Sequence, residues 1–196
     1  MNAKDREWVI SNVDNGFITS KFVTKCGVHR SILRDMVENG DLVKCKRGIY
    51  MLADEWEDDY YTIQQKYSRG IYSHETALYL WGYSERVPLS LNLTFPSKYN
   101  THSLKNENVN VTRVIDEYYD LGVTSVKTPS GNIVRVYNLE RSLCDVLRGN
   151  TGDLQTIQFA MKKYVLSKRK NINLLLKYAK LLHVEKKVRK YLEVLL

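Results

Sequence analysis

Apolar and polar residues alternate along this chain with two different periods, and the places where the period changes divide it into elements. From Lys4 to Val13 the spacing predicts a helix with Trp8, Val9 and Val13 on one side. Gly16 and its neighbours break that pattern. Thr19 or Ser20 then offers a hydroxyl to cap a short second helix whose apolar side is Phe22, Val23 and Cys26. Gly27 stands where the chain must reverse, because glycine takes a positive φ without a steric penalty. A third helix is expected from His29 to Asn39, with Ile32, Leu33, Met36 and Val37 facing inward and Asn39-Gly40 ending it. Leu42–Cys45 and Ile49–Leu52 read as two strands of a hairpin with Lys46-Arg47-Gly48 at the tip. Helix, glycine turn, helix and basic-tipped hairpin in this order outline a winged helix-turn-helix over residues 1–53.

The pattern changes after Leu52. Residues 54–59 are almost entirely acidic apart from Trp56 and read as a linker, since like charges repel and favour exposure. Beyond it, Tyr60–Tyr67 and Ser73–Tyr83 have helical spacing. Ser73-His74-Glu75-Thr76 resembles a capping box with Thr76 in the acid's place. Leu91–Phe95 and Val109–Ile115 alternate with period two, and Ser97–Asn108 between them is polar and reads as a loop. Val123–Lys127 and Ile133–Tyr137 form a second hairpin around Thr128-Pro129-Ser130-Gly131-Asn132. Asn138 caps a helix with Leu139, Leu143, Val146 and Leu147 inward, and two or three more helices fill Asp153–Leu196. The expected architecture is α+β: a winged helix-turn-helix, then a domain over 60–196 with a small, mainly antiparallel sheet and a helical tail.

Composition adds limits. The hydrophobic share of 43% supports folded cores, and no apolar run approaches the roughly 20 residues that cross a bilayer. The first ten residues are charged and lack a signal-peptide core. Three cysteines, Cys26, Cys45 and Cys144, are an odd number with no CxxC pair, which fits free thiols in a cytoplasmic setting. The net charge of +8 is uneven: residues 1–53 carry 9 basic and 6 acidic side chains, 54–158 carry 10 and 14, and 159–196 carry 11 and 2. The basic excess is therefore largest in the tail.

Charge and spacing together nominate a DNA interface. His29, Arg30, Ser31 and Arg34 lie near the start of the third helix, where helix-turn-helix proteins reach base edges in the major groove. Arg30 and Arg34 are four apart on one face, and arginine pairs bidentately with guanine. Lys44, Lys46 and Arg47 on the hairpin, with Ser20 and Lys21 at the start of the second helix, are placed for phosphate. The competing reading makes Arg34 a solvated residue paired with Asp35 or Glu38.

No catalytic or metal constellation emerges. His74 and Glu75 are adjacent, and adjacent helical residues do not face each other; capping and packing account for them better. Arg141 and Asp145, four apart, are expected to pair on a helix surface. The four histidines and three cysteines have no ligand spacing. No cofactor is expected.

Four segments in order carry a family resemblance: Arg47-Gly48-Ile49-Tyr50-Met51-Leu52; Ser73-His74-Glu75-Thr76-Ala77-Leu78; Leu93-Thr94-Phe95-Pro96; and Asn138 through Arg148, NLERSLCDVLR. Together they resemble the AbiEi family, antitoxins of bacterial abortive-infection type IV toxin–antitoxin systems, over Arg6 to Arg148 and more loosely in the tail. The resemblance implies a repressor that binds inverted repeats in its own operon promoter through the winged helix. It also implies a C-terminal domain that neutralises a nucleotidyltransferase-type toxin without needing a stable complex. On this resemblance Ser73, His74, Arg141 and Asp145 are the antitoxin-domain candidates. Two other readings stay open: a winged-helix regulator whose second domain senses a ligand or dimerises, and an enzyme acting on nucleic acid or on the toxin. The basic tail reads equally as a solvated surface or as a second contact for DNA, RNA or an acidic partner.

Overall fold

The computed structural model describes residues 3–14, 16–53, 58–149 and 153–195. The chain divides into two compact units, one of residues 1–68 with 128–132 and one of residues 69–127 with 133–196.

Unit 1 begins with α1 (Ala3–Ser11), β1 (Phe17–Thr19), α2 (Ser20–Lys25) and α3 (Ser31–Glu38), continues through β2 (Leu42–Lys46) and β3 (Ile49–Leu52), and closes with α4 (Asp59–Lys66). Thr19 Oγ1 accepts from the Phe22 N–H and so starts α2. Gly27 has φ +79° and makes the turn into α3. At the far end of α3, the Asp41 N–H reaches back to the Met36 carbonyl around Gly40, at φ +79°. Val9, Val23, Ile32, Leu33 and Met36 bury the facing sides of the three helices in one apolar core. The strands form an antiparallel sheet in the order β1-β3-β2, with Phe17 opposite Met51 and Lys44 opposite Tyr50. The three-residue β1 is too short to show an alternating pattern and was not anticipated.

Unit 1 extends past the expected boundary at residue 53. Of the expected linker, residues 54–57 lie outside the described residues. Asp58 is buried and caps α4, accepting from the Tyr61 N–H, and Asp59 is in the helix. Thr128 and Asn132 both donate to Asp58 Oδ2. The acidic run is thus partly structural: a carboxylate at a helix N-terminus satisfies orphan N–H groups and complements the helix dipole.

Unit 2 contains β4 (Ile71–Tyr72), α5 (His74–Leu80), β5 (Leu91–Pro96), a short 3-10 turn (His102–Leu104), β6 (Val109–Val114), α6 (Asp116–Tyr119), β7 (Val123–Lys127), β8 (Ile133–Tyr137), α7 (Leu139–Arg148), α8 (Leu154–Leu166), α9 (Ile172–Leu181) and α10 (Glu185–Leu195). Its five-stranded sheet has the order β6-β5-β4-β8-β7. The β4–β5 and β7–β8 pairs are antiparallel, whereas β4–β8 and β5–β6 are parallel. The sheet is therefore mixed, not mainly antiparallel. Period-two patterning marks a strand but not its direction, and the polar connection from Ser97 to Asn108 is long enough to carry the chain back for a parallel pairing. The fold is mixed α/β, with one small antiparallel sheet and one mixed sheet. On unit 2, α7 packs with α8, α9 and α10 over a core that includes Leu143, Leu147, Met161, Tyr164 and Leu182.

Candidate functional site

In unit 1 the N-terminal end of α3 and the β2–β3 hairpin border an open concavity of about 450 Å³ lined by Ser20, His29, Arg30, Ser31, Arg34, Lys44, Arg47, Gly48 and Tyr50. Seven of the nine residues nominated from sequence meet there. Lys21 is exposed on α2 but does not line it, and Lys46 sits half-buried at an irregularity in the β2–β3 register. Tyr50 was not anticipated, although the hairpin register alone would have placed it opposite Lys44.

Local structure explains the arrangement. Arg30 is the N-cap of α3 and supplies no capping side chain. The His29 ring lies beside the helix start instead, with Nδ1 2.8 Å from Ser31 Oγ. The hairpin tip is held by a hydrogen bond from the Ser20 N–H to the Gly48 carbonyl. Gly48 has φ +78°, and a Cβ there would stand 2.9 Å from Ser20 Oγ, so any larger residue both strains the backbone and pushes on α2.

The cations of this concavity have few obligations. Arg34 lies 3.7 Å from Glu38 with both side chains about 70% exposed or more. Such a pair contributes roughly 0–1 kcal/mol, and a polyanion displaces it at little cost. Arg30, Lys44 and Arg47 are exposed and form no ion pair among the described residues. Four cations around one concavity, with no carboxylate in its lining, make a site for an anion.

The second nominated group, in unit 2, behaves differently. Arg141 is 1% exposed. Its Nε donates to Asp145 Oδ1 at 2.9 Å, Nη1 donates to the Tyr118 and Leu121 carbonyls, and the guanidinium lies 4.4 Å from the centroid of the Tyr137 ring. The pair expected on a helix surface is therefore buried, and Asp145 Oδ2 has no hydrogen-bond partner among the described residues. Spacing fixed the pairing, but a buried arginine looks the same as a solvated one in a hydropathy pattern.

Ser73 precedes α5 but makes no capping hydrogen bond with its side chain. Its Oγ is engaged by Thr94 Oγ1 and lies 2.9 Å from His74 Nδ1. His74 takes φ +51°, rare for a residue with a side chain. Burial lowers its pKa, Asp145 and Glu75 raise it, and Arg141 and Arg148 lower it, for a net depression. Cys144 is fully buried, and burial pushes its thiol pKa well up, so no reactive thiolate is presented there. Ser73, Arg141 and Asp145 offer almost no surface to another molecule. Arg141 ties α7 to the Tyr118 and Leu121 carbonyls, and Ser73 ties the start of α5 to β5.

The basic tail is partly explained by the backbone. Lys163 Nζ donates to the Gly82 carbonyl, Lys170 to Val165 and Lys187 to Leu147. These carbonyls lie at or just past the ends of α5, α8 and α7, where the helix dipole is negative and carbonyls lack partners. Arg189 pairs with Glu185 one turn away. Among the described residues no group of His, Cys, Asp and Glu could hold a metal ion, and no helix is long and apolar enough to cross a membrane.

The fold defines a mixed α/β protein with a small antiparallel sheet and a larger mixed one. No family model matches the chain, and no curated protein matches it. The crystal structure of the RV2827C protein from Mycobacterium tuberculosis is similar to it, with a TM-score of 0.55 and 14% identity over 91% of this chain and 75% of that one. At that identity the likeness is one of fold.

Proposed function

We propose that unit 1 is a winged helix-turn-helix that binds double-stranded DNA, and that the chain is a transcriptional autorepressor and antitoxin of the AbiEi type. The observation that carries the DNA reading is the concavity where Arg30 and Arg34, at the cap and on the first turn of α3, meet Lys44 and Arg47 of the hairpin, with no carboxylate in its lining. In this reading α3 enters the major groove, Arg30 or Arg34 reads a guanine, and Lys44 and Arg47 neutralise phosphates. Inverted repeats in the chain's own promoter are the expected target. Neutralisation of a nucleotidyltransferase-type toxin by unit 2 rests on the sequence resemblance. Ser73, Arg141 and Asp145 are buried, so in this reading they serve the fold of unit 2 and do not contact the toxin.

The test is fluorescence anisotropy of the full chain on a duplex from its own promoter, over a series of salt concentrations. Arg47→Ala should weaken binding to all sequences and reduce the salt slope by about one. Arg34→Ala should narrow the gap between the promoter and a scrambled duplex. If both variants bind as the parent does, the interface lies elsewhere. Co-expression with the toxin, comparing Arg34→Ala with the parent, separates the two activities: repression should fail while protection persists.

A further inference from the structure

Strand β3 divides its side chains between two faces of its sheet, as the period of a strand requires. Ile49 and Met51 join Phe17 in one apolar cluster. Tyr50 turns the other way, stands opposite Ile18 and packs against the helical core of unit 1. Its side chain is only half-buried there, and the same residue lines the concavity with Arg30, Arg34, Lys44 and Arg47. A tyrosine whose ring lies on a core and whose edge reaches an open site offers its polar tip to whatever binds.

That tip is uncommitted. Tyr50 makes no hydrogen bond among the described residues, and Lys44, its exposed register partner on β2, does not engage it. The phenol O–H donates one hydrogen bond. Four cations stand around it and no carboxylate lines the concavity, so the acceptor that suits hydroxyl and cations together is an anionic oxygen brought by a ligand. A lysine or arginine gives up many rotamers to make such a contact. Tyrosine has only two χ angles, and packing against the core already restrains them. Tyr50 also lies on the strand and not on α3, with its ring tied to the core, so it does not follow α3 towards base edges. A contact from this position goes to the backbone of the duplex, which sets register and carries no sequence information.

We propose that Tyr50 is an uncharged phosphate anchor, its hydroxyl donating to one backbone phosphate beside the cations that neutralise the strand. The inference rests on the DNA reading and adds to it a contact of a different kind. A neutral donor releases no counterion, so its contribution stays constant as salt changes, unlike that of Lys44 or Arg47.

The experiment compares the full chain, Tyr50→Phe and Arg47→Ala by fluorescence anisotropy on the promoter duplex and a scrambled duplex, over a series of salt concentrations. Phenylalanine keeps the ring and removes only a hydroxyl that holds nothing else in the fold, so urea unfolding of Tyr50→Phe should match the parent. Tyr50→Phe should bind both duplexes about tenfold more weakly at every salt concentration, with the parent's slope. Arg47→Ala should lose about one unit of slope. A scan of single methylphosphonate linkages should then find a position whose cost is about tenfold smaller in Tyr50→Phe than in the parent. Parental affinity of Tyr50→Phe, a reduced slope, a loss confined to the promoter duplex, or no such linkage would overturn the proposal, while the slope change in Arg47→Ala would still stand for the DNA reading. A parent chain that binds neither duplex would overturn both.

Discussion

Helices α3 and α7 each carry an arginine four residues before an acid, and the two pairs have opposite fates. Arg34 and Glu38 on α3 lie 3.7 Å apart in solvent, with the arginine side chain 75% exposed. Arg141 and Asp145 on α7 are 2.9 Å apart and almost fully buried. The difference lies in what surrounds them. Arg141 donates to Asp145 and to the Tyr118 and Leu121 carbonyls, and lies against the Tyr137 ring. Arg34 has a weak partner and faces an open concavity. A charge buried among its own partners holds a fold together, and an exposed, weakly paired charge can meet a ligand. Local spacing is identical in the two cases and does not distinguish them.

The largest effect that tests this contrast is on stability. Arg141→Ala should destabilise unit 2 by about 3–5 kcal/mol, because it leaves Asp145 buried and unpaired; urea unfolding measures it. Replacing both, Arg141→Met with Asp145→Leu, should cost less than Arg141→Ala alone. A loss below about 1 kcal/mol for the single variant would erase the contrast. Next comes Arg34→Ala, expected to cost roughly 1–3 kcal/mol in promoter binding while changing unfolding free energy by no more than about 0.5 kcal/mol. Gly48→Ala should destabilise unit 1 by about 1–2 kcal/mol, since its positive φ opposes a side chain, and the displaced hairpin tip should weaken binding at all duplexes. The smallest effect is one of pH. Burial depresses the His74 pKa below its ordinary 6.5, so the unfolded chain binds the proton more readily. Stability should therefore decline as pH falls from about 6.5 towards the folded value. His74→Gln should flatten that decline in a pH series of unfolding curves.

Much of unit 1 was legible because its signals are local. The Thr19 cap, the Gly27 turn, the apolar stripe of α3 and the hairpin around Gly48 depend on neighbours in sequence, and the concavity follows from them. What stayed hidden depends on distant partners. The two-residue β4 carries no period of its own, yet it is the middle strand of the larger sheet. The parallel direction of β6 is set by the return of the chain after Ser97. The burial of Arg141 is set by Tyr118, Leu121 and Tyr137, none on its own helix. The charge count also misled: the tail carries the larger excess, but three of its lysines close helix ends, whereas residues 1–53, with a smaller excess, bring Arg30, Arg34, Lys44 and Arg47 to one concavity.

The placement of β4 has a consequence for how the chain is made. Tyr72 pairs in parallel with Val136, so the middle of the larger sheet stays incomplete until synthesis has passed that residue. The apolar clusters of unit 1 draw on residues from Trp8 to Tyr61. A chain leaving the ribosome therefore presents a nearly complete first unit, with Asp58 still awaiting Thr128 and Asn132, while the second is a half-built sheet. If unit 1 reads the promoter, a nascent or truncated chain would carry the reading surface before it carries anything that acts on a toxin.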